Sequence, residues 1–144
     1  MNIFNIENAF TRMREKKWNY LTVAVDYHGT IAGASREPGK IGEIYPNAIN
    51  VLKQFSDRED IKLVLWTSSH INDIVKVCIQ LEKHGITFDA INSNPFNESN
   101  TFSDFSKKFY FNILLDDKAG FVGETDWILI ENELRRIGEW KEIT

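Results

Sequence analysis

Short apolar runs rich in β-branched residues alternate along the chain with segments of helical periodicity, and this alternation constrains the fold most. Four runs are typical of buried strands: 20–26, 61–66, 86–91 and 109–115. Four segments with apolar residues at helical spacing predict helices: 3–17, 46–55, 71–81 and 127–137. Strands separated by helices indicate an α/β fold, a three-layer Rossmann-like parallel sheet with helices on both faces.

Length and composition predict one domain, spanning residues 1–144, because 144 residues with 42% hydrophobic content can bury one core but not two. The formal net charge of −4 argues against broad electrostatic attraction of nucleic acid. A single cysteine, Cys78, cannot form an internal disulfide, which fits a reducing cytoplasmic setting.

The amino-terminal segment is expected to be a packing helix rather than a targeting sequence. Its first twenty residues carry several charges, and no run approaches the ~18 apolar residues that span a bilayer. We therefore expect neither a signal peptide nor a membrane anchor. Ile6 and Phe10 on this helix pack on the sheet or contact a second copy, so a homo-oligomer remains open.

Polar side chains stand where three of the predicted strands end. Asp26 ends the first strand, Thr67 the second, and Asp116 with Asp117 the fourth. The carboxyl ends of parallel strands form one crevice, so these residues are expected to meet there. Each has a local explanation, as a turn or helix-capping residue. Their agreement at three strand ends favours a single site.

Carboxylates gathered at one sheet edge indicate a divalent cation. Two of them repel by ~1–4 kcal/mol at about 4 Å unless a cation lies between them. Mg²⁺ prefers oxygen ligands, so Asp26 and Asp116 with a backbone carbonyl would hold it, and Asp117 would hold a ligating water or orient its neighbour.

Phosphoryl transfer is the chemistry predicted for this arrangement. The Asp26 carboxylate is the expected nucleophile, forming an aspartyl-phosphate. The Thr67 hydroxyl and the amides of Gly29 and Thr30 are expected to bind phosphoryl oxygens, with a lysine supplying positive charge. The lysine candidates are Lys108 first, then Lys107 and Lys83.

Four segments resemble the motifs of the haloacid dehalogenase (HAD) superfamily, in that family's order. They are Asp26-Tyr27-His28-Gly29-Thr30-Ile31, Leu63-Val64-Leu65-Trp66-Thr67-Ser68, Ser106-Lys107-Lys108 and Ile113-Leu114-Leu115-Asp116-Asp117. The resemblance covers roughly residues 19–120 and implies a Rossmann-like fold, Mg²⁺ dependence and phosphoryl transfer through Asp26. It also implies that the His28 carbonyl ligates the metal and that Ser68 contacts substrate beside Thr67.

One position departs from that pattern. Phosphatases of the family usually carry a second aspartate two residues after the nucleophile, where this chain has His28. An imidazole can protonate a leaving alcohol and later deprotonate water, so we expect His28 to be the general acid and base.

Neither position where the family inserts a cap domain is long enough for one. The flap region 31–45 and the segment 93–107 have fifteen residues each, which predicts an open site for large or extended substrates. Arg36 and Lys40 in the flap are candidate phosphate contacts. Three asparagines after the third strand are further candidates: Asn92, Asn94 and Asn97.

A magnesium-dependent phosphatase acting on a phosphorylated substrate is therefore the predicted function. Two alternatives remain. A protein that has lost turnover because of His28 would bind a phosphorylated ligand or partner. A polynucleotide-end phosphatase would use the open site, with nucleic acid as its substrate.

Overall fold

Four parallel strands form the sheet in the computed structural model, which describes residues 2–33, 42–105 and 109–142. The strands are β1 (Leu21–Val25), β2 (Ile61–Leu65), β3 (Ala90–Ile91) and β4 (Ile113–Leu115). Their order across the sheet is β3-β2-β1-β4. Strands β2 and β3 thus follow one another on one side of β1, and β4 lies on the other side. The carboxyl ends of β1 and β4 therefore flank a topological switch point, where open α/β sheets bind ligands.

The helices supply most of the core. They are α1 (Ile6–Lys16), α2 (Ala48–Ser56), α3 (Ile71–Glu82) and α4 (Asp126–Arg136), with short 3-10 turns at Ile3–Asn5 and Asp117–Ala119. Buried side chains from all four helices form one cluster with alternate residues of the strands, including Val23, Leu63 and Ile113. Side chains alternate between the faces of a strand, so this cluster defines one face of the sheet. None of the helices described is long and apolar enough to cross a bilayer.

The other face carries the intervening strand residues and is covered by the connection between β3 and β4. The Thr22 hydroxyl donates to Asn97 Oδ1 at 2.7 Å, and Lys62 Nζ lies 5.2 Å from the centre of the Phe96 ring. The predicted three-layer Rossmann-like α/β fold is confirmed. Its layer on this face is the polar, irregular connection rather than a further helix, because that sequence lacks helical periodicity.

Two strands are shorter than their apolar runs predict. Asp89 Oδ2 accepts the Leu63 amide at 2.7 Å, and Asn112 Oδ1 accepts the Thr22 amide at 2.8 Å. In both places a side chain takes the position that a strand carbonyl would occupy in the ladder, so regular pairing begins only after it. β3 therefore starts at Ala90 and not at residue 86.

The amino-terminal helix packs within the chain. The predicted helix 3–17 is observed as the 3-10 turn followed by α1. Ile6 and Phe10 are buried in the common core, so neither is available for contact with a second copy.

The ends of the predicted flap pair with each other. Ala32 and Ile44 form an antiparallel bridge, and the Gly33 amide donates to the Glu43 carbonyl at 3.0 Å. Positions 34–41, which include Arg36 and Lys40, lie outside the described residues.

A buried hydrogen bond joins helix α4 to the turn that follows β1. The indole nitrogen of Trp127 donates to the Thr30 carbonyl at 2.8 Å, and both residues are fully buried. The Trp127 ring also makes an edge contact with Phe121, at 4.9 Å between ring centres. The turn carrying the candidate nucleophile is thus anchored on the last helix.

We predict that Trp127→Phe destabilises the protein by about 2–4 kcal/mol, because it removes ring volume and leaves the buried Thr30 carbonyl without its donor. The measurement is urea unfolding at neutral pH. Trp140→Phe is the matched control, since Trp140 is only partly buried. Equal losses in the two variants would show that the hydrogen bond to Thr30 contributes nothing.

Candidate active site

Asp26 and Asp116 are neighbours because of the strand register. Val25 pairs with Leu115 as the last pair between β1 and β4, and the Asp26 amide continues the ladder by donating to the Leu115 carbonyl at 2.9 Å. Asp116 directly follows Leu115. Their meeting at one sheet edge, expected from the strand ends, is confirmed.

Three carboxylates gather at this point. Asp26, Asp116 and Asp117 are each partly buried, and one oxygen from each lies within 4.8 Å of the others. Such a set of hard oxygen donors can hold a metal ion, and the predicted grouping of these aspartates is confirmed. Within the described residues, no donor hydrogen-bonds to the His28 carbonyl, which leaves it free as a further oxygen ligand.

Thr30 holds the two acidic segments together. Its hydroxyl donates to Asp26 Oδ2 at 3.2 Å and accepts the Asp117 amide at 3.0 Å. The prediction that Thr30 binds substrate is wrong, because the residue is fully buried and its amide donates to the Tyr27 carbonyl. It positions the carboxylates instead.

Gly29 allows the close approach of Asp117. Its φ of +79° favours glycine, and a Cβ at this position would lie 2.6 Å from Asp117 Oδ2. Gly29 lines the cleft as predicted, but its amide donates to the Ala32 carbonyl at 2.8 Å. The expected role of this amide in phosphate binding is therefore wrong, because the tight turn already uses it.

The environment of Asp26 makes its carboxylate easier to protonate than that of an ordinary aspartate. Burial, the charge of Asp116 and a hydrogen bond with Asp117 together raise the pKa of Asp26 to about 6, against weaker lowering by the Tyr27 amide and the Thr30 hydroxyl. In the absence of a cation, two neighbouring carboxylates disfavour a third negative charge. A bound cation would reverse this preference.

His28 and Thr67 are linked through Ser69. His28 Nε2 lies 3.1 Å from Ser69 Oγ, and the Thr67 hydroxyl lies 3.0 Å from the same oxygen. The Ser69 amide also donates to Thr67 Oγ1 at 3.1 Å. Ser69 was not singled out in the sequence, although it follows Thr67 by two residues. The imidazole is exposed at the cleft and held by this serine.

These residues line one open cleft of about 760 Å³. Its lining includes the predicted site residues Asp26, His28, Gly29, Thr67, Ser68, Asp116 and Asp117. It also includes Lys118, Tyr45 and Trp66, which sequence reasoning missed. Lys118 follows the acidic pair directly, and its amide donates to Asp116 Oδ1 at 2.8 Å. Lys118 and Trp66 could have been predicted as cleft residues, because both lie in sequence close to the end of a strand.

Of the candidate lysines from the sequence, only Lys83 lies in the described part of the chain. Lys83 caps the carboxyl end of α3, a helix that starts at the cleft edge of the sheet and runs back toward the opposite edge. A helix of twelve residues is about 18 Å long, so Lys83 is too distant to act at Asp26. Lys107 and Lys108 lie outside the described residues.

The three asparagines after β3 separate in the structure. Asn92 lines the cleft, and its Oδ1 accepts the Thr67 amide at 2.7 Å. Asn94 and Asn97 hydrogen-bond to each other away from the cleft, Asn94 also binding the Tyr110 carbonyl. Only Asn92 is placed to contact a ligand.

Comparison with known proteins supports the fold. The chain is similar to the solved structure of a conserved protein from Bacteroides thetaiotaomicron, with 29% sequence identity and a TM-score of 0.62. The match covers 83% of this chain and 93% of the other. No protein-family model and no curated protein sequence matches this chain.

We predict that the metal-free protein loses stability between about pH 4 and pH 7 through Asp26. Its pKa is raised from 3.8 to about 6, so the folded state binds more protons in that interval, and the gain is lost as pH rises through 6. The free energy of unfolding is measured in EDTA across this range for the wild type and Asp26→Asn. The wild-type value minus the Asp26→Asn value should fall as pH rises.

The control is Asp57→Asn, which alters an exposed carboxylate paired with Lys53. The free energy of unfolding of the wild type minus that of Asp57→Asn should change less with pH over the same interval. Parallel curves for the wild type and Asp26→Asn would contradict the assigned environment of Asp26.

Proposed function

We propose that this protein is a magnesium-dependent phosphomonoester hydrolase of the HAD type that acts through an aspartyl-phosphate on Asp26. The observation that carries the proposal is the convergence of the Asp26, Asp116 and Asp117 oxygens within 4.8 Å of one another at the base of an open cleft. Structural ion-pair networks pair their carboxylates with lysine or arginine. Among the described residues, no lysine or arginine pairs with these three acids, which face one another instead, and this is typical of a site built for a cation.

Mg²⁺ held by these three aspartates and the His28 carbonyl would neutralise their charge and that of the phosphoryl group. The residues fit this ion because all four donors are hard oxygens and the cleft leaves room for bound water. The remaining steps depend on side chains of the chain itself.

In the first half-reaction, an Asp26 carboxylate oxygen bonds to phosphorus while the ester P–O bond breaks. The protonated imidazole of His28 gives its proton to the leaving alkoxide, so a neutral alcohol departs. Thr67 and Ser68 line the cleft, and in this proposal their hydroxyls bind phosphoryl oxygens. Lys108 remains the proposed source of positive charge near phosphorus, and Lys118 at the cleft is a second cation that helps to capture the substrate.

In the second half-reaction, water attacks phosphorus and the now neutral His28 accepts its proton. The bond between phosphorus and Asp26 breaks, which releases inorganic phosphate and restores the carboxylate. The Ser69 hydroxyl, 3.1 Å from His28 Nε2, holds the ring in place for both transfers. A cytoplasmic setting goes with this proposal, because phosphorylated metabolites and Mg²⁺ are present there.

We expect the purified protein to hydrolyse p-nitrophenyl phosphate with Mg²⁺ and to stop when EDTA is added. Asp26→Asn should lower kcat by at least about 10³-fold, since it removes the nucleophile. Asp57→Asn is the matched control and should retain wild-type activity, because this exposed carboxylate lies outside the cleft. Release of inorganic phosphate is the measurement.

Other outcomes separate the alternatives. Binding of Mg²⁺ and phosphate without hydrolysis of a broad phosphate panel would favour a binding protein. Turnover limited to 3′-phosphorylated oligonucleotides would favour a polynucleotide-end phosphatase. Full activity in Asp26→Asn would end the aspartyl-phosphate proposal.

Lys118 should contribute to capture of substrate more than to chemistry. Its side chain is exposed, so its attraction for a phosphate is screened by salt within about 8–10 Å at physiological ionic strength. We predict that Lys118→Met raises KM several-fold in about 20 mM salt and less in about 200 mM salt, with kcat little changed. A large fall in kcat would instead place Lys118 at the reacting phosphorus.

A further inference from the structure

Trp66 is a large aromatic side chain left exposed inside the cleft. It directly follows β2, remains 39% exposed and lines the same cleft as Asp26. Its ring centre lies 4.7 Å from that of Phe109, with the planes 37° apart. Phe109 therefore supports the indole from one side while part of the ring stays open to a ligand.

The strand register places Trp66 next to Asp26. Val25 pairs with Leu65, and the Trp66 amide continues this ladder by donating to the Val25 carbonyl at 2.8 Å. Neighbouring strands lie about 4.8 Å apart, so the backbone of Trp66 stands one strand spacing from that of Asp26, and both side chains line the cleft.

Asn92 occupies the next strand end beyond Trp66. Leu65 pairs with Ile91, and the Asn92 amide donates to the Leu65 carbonyl at 2.8 Å. The side-chain Oδ1 of Asn92 accepts the Thr67 amide at 2.7 Å, which fixes the side-chain amide. Its Nδ2 group has no acceptor among the described residues and is exposed at the cleft. The sheet edge thus presents a carboxylate, an aromatic face and an amide donor in sequence.

We propose that the substrate class is a nucleoside monophosphate, whose base stacks on Trp66 while its phosphate lies at Asp26. This inference rests on the proposed phosphatase function. A planar base has a π-face for the indole and ring acceptors for the Nδ2 group of Asn92. One sugar ring bridges the single strand spacing between the base and the phosphate.

Two related ligands fit the arrangement less well. The ring of phosphotyrosine has no ring nitrogen, so it offers no ring acceptor to the Nδ2 group of Asn92. A polynucleotide would bring many phosphates to a chain whose net charge is −4. A single nucleotide needs only the contacts described.

The experiment compares adenosine 5′-monophosphate with ribose 5-phosphate, which lacks only the base. Wild-type kcat/KM should be at least about tenfold higher for the nucleotide, within the range for a base stacked on an aromatic side chain. Trp66→Ala should reduce this ratio to within about twofold of one, and Trp66→Phe should retain most of it because a phenyl ring still stacks. Phosphotyrosine, which lacks a ring acceptor for Asn92, should have a lower kcat/KM than adenosine 5′-monophosphate.

The matched control is Phe102→Ala, which removes an exposed aromatic ring outside the cleft and should leave the ratio unchanged. Equal kcat/KM for nucleotide and ribose 5-phosphate in the wild type would overturn the base site while the phosphatase proposal stands. So would a ratio that survives in Trp66→Ala.

A binding measurement makes the test independent of turnover. Calorimetric titration of Asp26→Asn in Mg²⁺ should show adenosine 5′-monophosphate binding at least about tenfold tighter than ribose 5-phosphate, with the difference lost when Trp66→Ala is added. This result would support the base site even if hydrolysis failed. Equal affinities, or no binding of either compound, would overturn it.

Discussion

The pairing of β1 with β4 places negative charge beside negative charge, and this electrostatic constraint governs the rest of the site. Because Val25 lies opposite Leu115, the residues that follow them cannot separate without breaking the ladder. The carboxylates of Asp26 and Asp116 therefore share a partly buried volume, and the pKa of Asp26 rises to about 6. Such an arrangement opposes folding unless a proton or a cation balances it. A cation bound as proposed above would supply that balance.

Thr30 fixes the positions of the clustered aspartates. Its hydroxyl joins Asp26 to the Asp117 backbone, and its carbonyl accepts the Trp127 indole. Helix α4 contributes no residue to the cleft lining, yet it anchors the turn that follows Asp26, the candidate nucleophile. The hydrophobic free energy of burying Trp127 thus offsets part of the repulsion among the carboxylates. A site held in this way keeps its shape before any ligand arrives, as preorganised catalysis requires.

Sequence reasoning could predict features governed by periodicity and strand ends, but not those governed by burial of single groups. Asp26 and Asp116 were predictable because parallel strands end at a common edge. The true role of Thr30 was not, since only its burial shows that the hydroxyl faces inward. The late start of β3 could not be predicted from the apolar run, because it arises where the Asp89 side chain replaces a backbone acceptor. Lys83 was a poor candidate in principle, because a helix that leaves the cleft carries its last turn to the far edge.

An open cleft must bind its ligand by contacts that remain effective in the presence of water. The charge of Lys118 and the aromatic face of Trp66 differ in this respect. The charge of Lys118 acts at a distance but weakens as salt screens it. The Trp66 face acts only on contact, and burial of apolar surface is not screened. Under the proposed function, charge would increase the rate of encounter, while the ring would determine which bound phosphates stay. Discrimination in such a site would then depend on the sheet edge itself, where one strand carries the candidate nucleophile and the next carries the aromatic ring.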